Sequence, residues 1–598
     1  MYSWMSQKQM FIAAFVPLLL LLTSSVKAEQ PAMSTQTPLL NCHGGGPLYA
    51  EAATAYQQAQ YFAAHADPRC VDHFFACARL TWQDLSVAIA SDPPRLLHSD
   101  LQLYNSAVSA SLVYGHQLGR LDFAQGLSVN VDGQETVVPI VNHGIHWRFD
   151  QIDCIRQAHT CFENPALAPT FRHAFGASLI GIHYRRQDTP GEERYLEKHP
   201  FAITGLIRPS EATTESAVGW TIELNSPVSV LTSIVNGYEL NLSRNIAAAV
   251  DFAMRELEDT ANPMQAFFNP QVAVSHEGML TLQPYQPGKI PLVLVHGLIS
   301  NPSTWGTIIN DLMNQPELME KYQIWAYLYP TGIPFLITAG KFREDLRNTL
   351  AFLDPYCADP ALQNMMLIGH SMGGLLSRLQ VVHSGEILWN VFASKPLSAF
   401  DADAHIKQEL SQAFFFEPQP FVKRVVFIAV PHRGSGLSSR VIGCVGRLLA
   451  GQLLETSRSW ADMYRKNKEY LRPGVPRRLP SSVAGLSPKS LGIYGLSQLP
   501  FAQHVRLHSI IGTKGCSPCF PGDSVVSIQS ARLANVESEL FVEGTHTSVK
   551  EKPETLKEIR RILDLHWAES SLQLTPSLVE PSVMPHPLVL PPAPAPSP

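Results

Sequence analysis

The segment Met365-Met-Leu-Ile-Gly-His-Ser371-Met-Gly-Gly374 decides the fold expected of this 598-residue chain. Four apolar residues, typical of a buried strand, run directly into Gly-x-Ser-x-Gly and then into the apolar, helix-forming stretch 375–382. A serine on a strained strand-to-helix turn needs very small residues two positions before and after it, because larger side chains would collide there. The segment therefore predicts a nucleophile elbow that presents Ser371.

Apolar strands alternate with helices on both sides of this segment. A mostly parallel sheet is the usual arrangement when strands are apolar throughout, because helices then cover both of its faces. The predicted fold class is therefore α/β, over residues 285–568. The predicted strands are 291–295, 323–329, 365–368, 424–430, 505–511 and 540–542, and the predicted helices include 341–352 and 553–567.

The tripeptide His296-Gly297-Leu298 ends the first of these strands. A serine nucleophile of this type needs two backbone N–H groups for a developing oxyanion, one from the residue after the serine and one from this earlier loop. We assign them to Met372 and Leu298. The alternative is that Gly297 merely turns the chain at the end of a strand.

An acid and a base are expected in the chain order Ser, Asp, His. Asp523 follows the strand 505–511 and His546 follows the strand 540–542, so both lie at carboxyl ends of strands, where open α/β sheets place their ligands. The loop after strand 424–430 has no acidic residue between positions 431 and 454, which excludes it as the source of the acid. His566 lies within the last helix, and His370 is expected only to pack.

Five short motifs now stand in order, and together they resemble the α/β-hydrolase superfamily, specifically its bacterial lipase and esterase branch with GPI-inositol-deacylase-like proteins. They are His296-Gly-Leu, Gly-His-Ser371-Met-Gly-Gly, Pro431-His-Arg-Gly-Ser435, Gly-Asp523-x-Val-Val and Gly-x-His546. The resemblance covers residues 285–568 and implies hydrolysis of carboxylic esters by Ser371, His546 and Asp523. The chain departs from the branch at Ser524, where glycine is usual.

Two segments, 384–423 and 436–500, are candidate caps over the site. The first contains Trp389, Phe392 and Phe414-Phe415-Phe416, and such apolar residues either face an acyl chain or pack as ordinary buried helices. We therefore expect an ester or lipid substrate and a lipase or esterase activity. An acyltransferase with the same catalytic groups and a non-catalytic exported binding or scaffold protein remain as alternatives.

Residues 43–275 are expected to form a separate α+β domain of unknown role. Residues 47–120 show helical spacing of apolar positions, and residues 126–240 contain short β-rich segments split by Gly, Pro and Asp. Ser243 is expected to open a further helix. His143, His146, Asp150 and Asp153 form the one candidate metal cluster here, and we interpret them as structural, so no metal and no cofactor is predicted.

The first 28 residues resemble an export signal: Lys8 precedes an apolar run, and Val26-Lys27-Ala28 provides small residues for cleavage. Export predicts a periplasmic, outer-surface or secreted location. Residues 571–598 are expected to be a proline-rich disordered tail. The low charged fraction, 16%, suits peripheral membrane contact, whereas a net charge of -6 argues against nucleic acid as a partner.

Nine cysteines accompany this expectation of export, and an oxidising compartment favours disulfides. The seven-residue spacing from Cys70 to Cys77 and from Cys154 to Cys161 predicts two locally closed loops. Cys516-Ser-Pro-Cys519 is expected to close a short loop rather than to hold zinc. The remaining cysteines are Cys42, Cys357 and Cys444.

Overall fold

The structure is a computed structural model, and it describes ten stretches of the chain. They are residues 47–91, 98–131, 133–164, 167, 174–210, 219–260, 277–436, 454–478, 481–514 and 521–574. Several sequence-based predictions lie outside them: the export signal 1–28, Cys42, Cys444, Cys516 and Cys519, and the tail from residue 575.

A seven-stranded sheet contains every strand predicted for residues 285–568. Its strands, in spatial order, are β11 (Gly278–Thr281), β13 (Tyr322–Leu328), β12 (Ile290–Val295), β14 (Met365–His370), β15 (Val422–Ile428), β16 (Arg506–Gly512) and β17 (Ser538–Val542). All neighbours are parallel except β11, which pairs antiparallel with β13 at the edge. The α/β class predicted from the apolar strands is observed, and β11 is an additional strand that the sequence analysis did not predict.

Successive residues of these strands belong to different hydrophobic clusters. Val293 and Leu367 lie in one cluster, and Leu292 and Ile368 lie in the other. Because side chains alternate between the two faces of a strand, each cluster covers one face of the sheet. The sheet is therefore buried on both sides, as its continuous apolar strands require.

Helices connect and cover these strands. They are α5 (Gly306–Met313), α6 (Pro316–Met319), α7 (Phe335–Leu353), α8 (Met372–Arg378), α9 (Ile387–Phe392), α10 (Ala404–Phe414), α11 (Leu454–Lys466), α12 (Ser482–Gly485), α13 (Leu491–Gln498), α14 (Ile528–Ala531) and α15 (Pro553–Leu574). The last helix extends seven residues beyond the predicted end at 567, so positions 571–574 are helical rather than part of a tail.

The N-terminal part combines helices with mostly antiparallel strands. Its helices are α1 (Tyr49–Ala64), α2 (Arg69–Ser91), α3 (His98–Gln117) and α4 (Ile246–Thr260). A five-stranded sheet has the order β4 (Ile140–His143), β8 (Trp220–Asn225), β7 (Lys198–Pro209), β6 (Ala177–Tyr184), β5 (Cys154–Gln157). In this sheet β4 and β8 form a parallel pair. A three-stranded sheet and a hairpin add β1 (Leu121–Asp122), β2 (Gly126–Val131), β3 (Gln134–Val138), β9 (Thr232–Val235) and β10 (Tyr238–Asn241).

Helix α4 joins this N-terminal part to the seven-stranded sheet. Its residues Ile246, Val250 and Leu257 share a hydrophobic cluster with Leu292 of β12 and with Trp305. The residue that caps this helix is Asn245 rather than Ser243, since the Asn245 side chain accepts a hydrogen bond from the Ala248 amide (3.1 Å). One hydrophobic core thus includes residues from both parts, while an independently folding N-terminal domain stays a prediction.

The two predicted cysteine loops are not formed, and Cys70, Cys77, Cys154 and Cys161 are free thiols. The first pair lies on one helix, α2. Seven residues of helix separate two Cα atoms by about 10 Å, whereas a disulfide joins Cα atoms no more than about 7 Å apart. A seven-residue spacing is therefore incompatible with a bridge when both cysteines are helical.

The aromatic residues of the segment 384–423 pack into the core. Trp389, Phe414 and Phe416 are buried, and Phe392 and Phe415 pack against the same cluster. The Trp389 ring centroid lies 5.3 Å from that of Phe414 in an edge-to-face contact. The structure thus favours the packing alternative for these five residues.

In the described ranges, no helix combines the length and hydropathy needed to cross a membrane.

Six buried histidines have lowered pKa values, chiefly because burial penalises the charged ring. The pKa falls to about 4 for His199, His296 and His566, to about 3 for His508, and well below 6.5 for His370 and His432. The folded chain therefore keeps these rings neutral at pH values where the unfolded chain protonates them.

We expect the free energy of unfolding to fall as pH is lowered from 7 to 5. Between the ordinary pKa of 6.5 and the lowered values, the unfolded state binds more protons, and each such ring removes up to about 1.4 kcal/mol per pH unit. The measurement is urea denaturation at several pH values. A midpoint that stays constant or rises toward pH 5 would contradict the assignment of these rings as neutral.

Candidate active site

Ser371 lies between the end of β14 and the first residue of α8, in a backbone conformation with φ of 54° and ψ of -123°. A positive φ is uncommon for any residue with a Cβ. The Ser371 amide donates to the Ile428 carbonyl of β15 (3.0 Å), which fixes the turn against the neighbouring strand. The predicted elbow is therefore present as a strained strand-to-helix turn.

Three glycines make the elbow sterically feasible. A Cβ atom on Gly373 would lie 2.2 Å from the Val295 carbonyl oxygen, and one on Gly374 would lie 2.0 Å from Val430 Cγ2. A Cβ on Gly369 would lie 2.5 Å from the Gly374 Cα. Val295 ends β12 and Val430 follows β15, the strands on either side of β14. The first turn of α8 therefore lies closer to the sheet than a side chain at Gly373 or Gly374 would allow.

The three residues predicted as nucleophile, base and acid form one hydrogen-bonded chain. His546 Nε2 lies 2.9 Å from Ser371 Oγ, and His546 Nδ1 lies 2.7 Å from Asp523 Oδ2. An ionised carboxylate only accepts hydrogen bonds, so Nδ1–H donates to Asp523 and Nε2 accepts from the serine hydroxyl. Ser371 is 7% exposed and Asp523 only 1%.

The Asp523 carboxylate is held by its own turn. Its Oδ1 atom accepts hydrogen bonds from the Val525 amide (2.9 Å) and the Val526 amide (2.7 Å), which leaves Oδ2 for the histidine. Ser524 has φ of 82°, a conformation that glycine adopts without strain. A residue with a Cβ thus occupies a turn position that favours glycine.

The backbone of His546 is held at both of its polar atoms. Its amide donates to the Asp523 carbonyl oxygen (2.8 Å), and its carbonyl oxygen lies 2.8 Å from His370 Nε2. Burial holds the pKa of His370 well below 6.5, so the ring is neutral and its Nε2–H donates to that carbonyl. His370 thus connects the elbow to the His546 loop. From the sequence this ring was expected only to pack, and the hydrogen bond was not predicted.

The loop 296–298 runs alongside the serine. A Cβ on Gly297 would lie 3.0 Å from Ser371 Cβ, so the residue before Leu298 is in contact with the nucleophile. The His296 ring stacks on Tyr329 with centroids 4.2 Å apart, and the Tyr329 hydroxyl donates to the His296 carbonyl (2.5 Å). Met372 is the first residue of α8, where backbone amides have no partner one turn earlier.

The candidate metal residues of the N-terminal part are engaged elsewhere. Asp150 pairs with Arg148 (2.8 Å), and Asp153 contacts both His183 (3.1 Å) and Arg186 (3.0 Å). In the described residues, no group of three or more His, Cys, Asp or Glu side chains has an arrangement that could hold a metal ion. The structure therefore assigns Asp150 and Asp153 to ion pairs.

No protein-family model matches the chain, and no curated protein matches it. Among solved structures, the mature lipase BlEst2 of Bacillus licheniformis is 15% identical, with a TM-score of 0.30 over 48% of this chain and 97% of that one. Staphylococcus hyicus lipase is 14% identical, with a TM-score of 0.29 over 48% and 98%. The metagenomic carboxyl esterase MGS0156 is 13% identical, with a TM-score of 0.26 over 48% and 78%. Similarities this low carry no inference about activity.

The crowding at the elbow makes a specific mutational prediction. Gly373→Ala should lower the free energy of unfolding by about 3 kcal/mol or prevent folding, because the new methyl group overlaps two backbone carbonyl oxygens. Gly485→Ala in α12 is the matched control, since its Cβ would meet Phe335 at an ordinary 3.4 Å. Thermal denaturation of both variants checks this. Equal melting temperatures would contradict the close approach of α8 to the sheet.

Proposed function

We propose that the protein is a serine hydrolase that cleaves carboxylic esters through an acyl-enzyme on Ser371. The observation that carries the proposal is the unbroken chain of hydrogen bonds from Ser371 Oγ through His546 to Asp523. These three hydrogen-bonded residues lie at the carboxyl edge of the parallel strands, and Ser371 lies on a strained turn. This combination supplies a base within hydrogen-bond reach of a nucleophile, which is what acyl transfer requires.

In the proposed reaction, His546 accepts the proton of Ser371 as the hydroxyl oxygen attacks the ester carbonyl. The resulting oxyanion accepts hydrogen bonds from the Leu298 and Met372 amides, each such donor contributing about 3 kcal/mol to transition-state stabilisation. His546 then gives the proton to the departing alcohol. In the second half of the reaction, His546 takes a proton from water as the water oxygen attacks the acyl carbonyl. The bond between the acyl group and Ser371 Oγ then breaks, His546 returns the proton to Oγ, and the carboxylic acid is released.

Asp523 acts on the histidine rather than on the substrate. Its buried Oδ2 holds the ring in the tautomer with hydrogen on Nδ1 and stabilises the imidazolium that forms when the serine is deprotonated. The two amides on Oδ1 keep the carboxylate in place while that charge appears and disappears. Because the acid is nearly excluded from solvent, water does not compete for it.

The proposal concerns carboxylic esters as a class. The aromatic residues first considered for contact with an acyl chain, such as Trp389 and Phe414, are buried in the core, so they give no specific support for a lipid-facing cap. A transferase would pass the acyl group from Ser371 to an alcohol in place of water. Product analysis with a competing alcohol present distinguishes these two outcomes of the same acyl-enzyme.

We expect a fluorophosphonate probe to label Ser371 in the purified protein, because the reagent reacts with activated serine hydroxyls. Ser371→Ala should abolish the labelling, and His546→Ala should reduce it. Each substitution should lower turnover of a chromogenic ester by at least about 10⁴-fold, since it removes the nucleophile or its base. Mass spectrometry maps the label, and circular dichroism shows that each variant is folded.

Near-wild-type turnover by folded Ser371→Ala would overturn the proposal. An absence of labelling and turnover in folded wild-type protein would favour the non-catalytic alternative.

His370→Phe should lower kcat by about 10-fold with little change in KM, because the variant keeps a buried ring but loses the hydrogen bond that positions the His546 loop. His566→Phe is the matched control. His566 is also buried and lies 2.7 Å from a backbone carbonyl oxygen, that of Asn364, but it is on α15 and outside the site. We expect both variants to lose stability and only His370→Phe to lose kcat. An equal kcat in the two variants would contradict the role of His370.

A further inference from the structure

The loop that follows β12 contains a strained residue directly after Leu298. Ile299 has φ of 50°, in the left-handed region, although its branched Cβ makes this conformation especially unfavourable. Such residues cost about 1–3 kcal/mol and persist only where surrounding contacts impose them. Ile299 is 39% exposed, so burial of its side chain is not what holds it there.

Two side chains impose the strained turn. The Thr331 hydroxyl, which is fully buried, accepts a hydrogen bond from the Ile299 amide (3.2 Å). Asn301, only 2% exposed, uses its Oδ1 atom to accept from the Ser303 amide (2.9 Å) and so caps the short helix Pro302–Trp305. The loop is thus held at the amide of Ile299 and again at Asn301, two residues later.

Asn301 also reaches the N-terminal part of the chain. Its Nδ2 atom donates to the Leu257 carbonyl oxygen of α4 (3.2 Å). Beside this contact, the Ser303 hydroxyl donates to the carboxylate of Glu258, the residue after Leu257 (3.1 Å). Both contacts join α4 to the segment that carries Leu298.

We propose that Asn301 is a positioning residue through which helix α4 holds the Leu298 amide in the oxyanion hole. The inference rests on the proposed function. If Asn301 no longer binds α4, Ile299 relaxes toward a negative φ, and Leu298 rotates relative to the chain that follows. The N-terminal part, whose role the sequence leaves open, then contributes directly to the rate of the chemical step.

The test is Asn301→Asp. Aspartate still caps the Ser303 amide, but it cannot donate to the Leu257 carbonyl. We expect kcat to fall by about 10–100-fold while KM changes by less than about 2-fold, because an oxyanion contact is made only in the transition state. Should Asn301→Asp fail to fold, Asn301→Ser serves in its place, since serine also caps the helix.

A rescue experiment separates positioning from general destabilisation. Asparagine tolerates the left-handed conformation better than isoleucine does. Ile299→Asn therefore lowers the tendency of residue 299 to relax to a negative φ, which the contact to α4 otherwise prevents. The double variant Asn301→Asp with Ile299→Asn should therefore recover at least about 5-fold in kcat over Asn301→Asp alone. A role limited to overall stability predicts no such recovery.

Asn310→Asp is the matched control. Asn310 is also buried and also donates its Nδ2 hydrogen to a backbone carbonyl of the N-terminal part, that of Leu167 (3.3 Å), but it lies on α5, away from the oxyanion loop. We expect this variant to lose stability and to keep kcat. Equal kcat losses in Asn310→Asp and Asn301→Asp, or a failure of the double variant to recover, would overturn the inference.

The Ser371→Ala variant keeps the two levels of the argument separate. If Ser371→Ala is inactive while Asn301→Asp turns over like the wild type, the proposed function stands and the inference fails. If Ser371→Ala remains active, the proposed function itself fails.

Discussion

The close approach between the first turn of α8 and the strands beside it governs the arrangement at this edge of the sheet. Gly373 lies against the Val295 and His296 carbonyl oxygens, and Gly374 lies against Val430. The helix follows β14 after the single residue Ser371, which adopts a strained conformation with a positive φ. The cost of that strain is offset by the burial of Met372, Leu375 and Leu376 of α8 in one hydrophobic cluster.

The groups around the serine are connected through backbone atoms as much as through side chains. Asp523 binds the His546 ring with its carboxylate and the His546 amide with its carbonyl. His370 binds the His546 carbonyl from the other direction. The histidine is therefore fixed in position as well as in tautomer, which reduces the reorganisation that the proposed proton transfer requires.

Much of this arrangement could be predicted from the sequence, because the strands and the elbow have strong local patterns. The six apolar strands from 290 to 542 and the positions of Asp523 and His546 after two of them follow from hydrophobicity and order alone. Contacts between distant segments could not be predicted in the same way. Nothing local to His370 indicates that its ring reaches a carbonyl 176 residues later, and the edge strand β11 is too short and too close to a turn-rich segment for a clear pattern. The bridge expected between Cys70 and Cys77 was incompatible with the helical spacing predicted for residues 47–120, and the continuous helix α2 is what forms.

The order of Ser371, Asp523 and His546 along the chain has a consequence for biosynthesis. His546 follows Ser371 by 175 residues, and Asp523 follows it by more than 150. A ribosome that has completed the elbow has therefore made neither of the side chains that the proposed function assigns as base and acid. Under that proposal, the Ser371 hydroxyl stays an ordinary, unreactive alcohol until synthesis has passed residue 546.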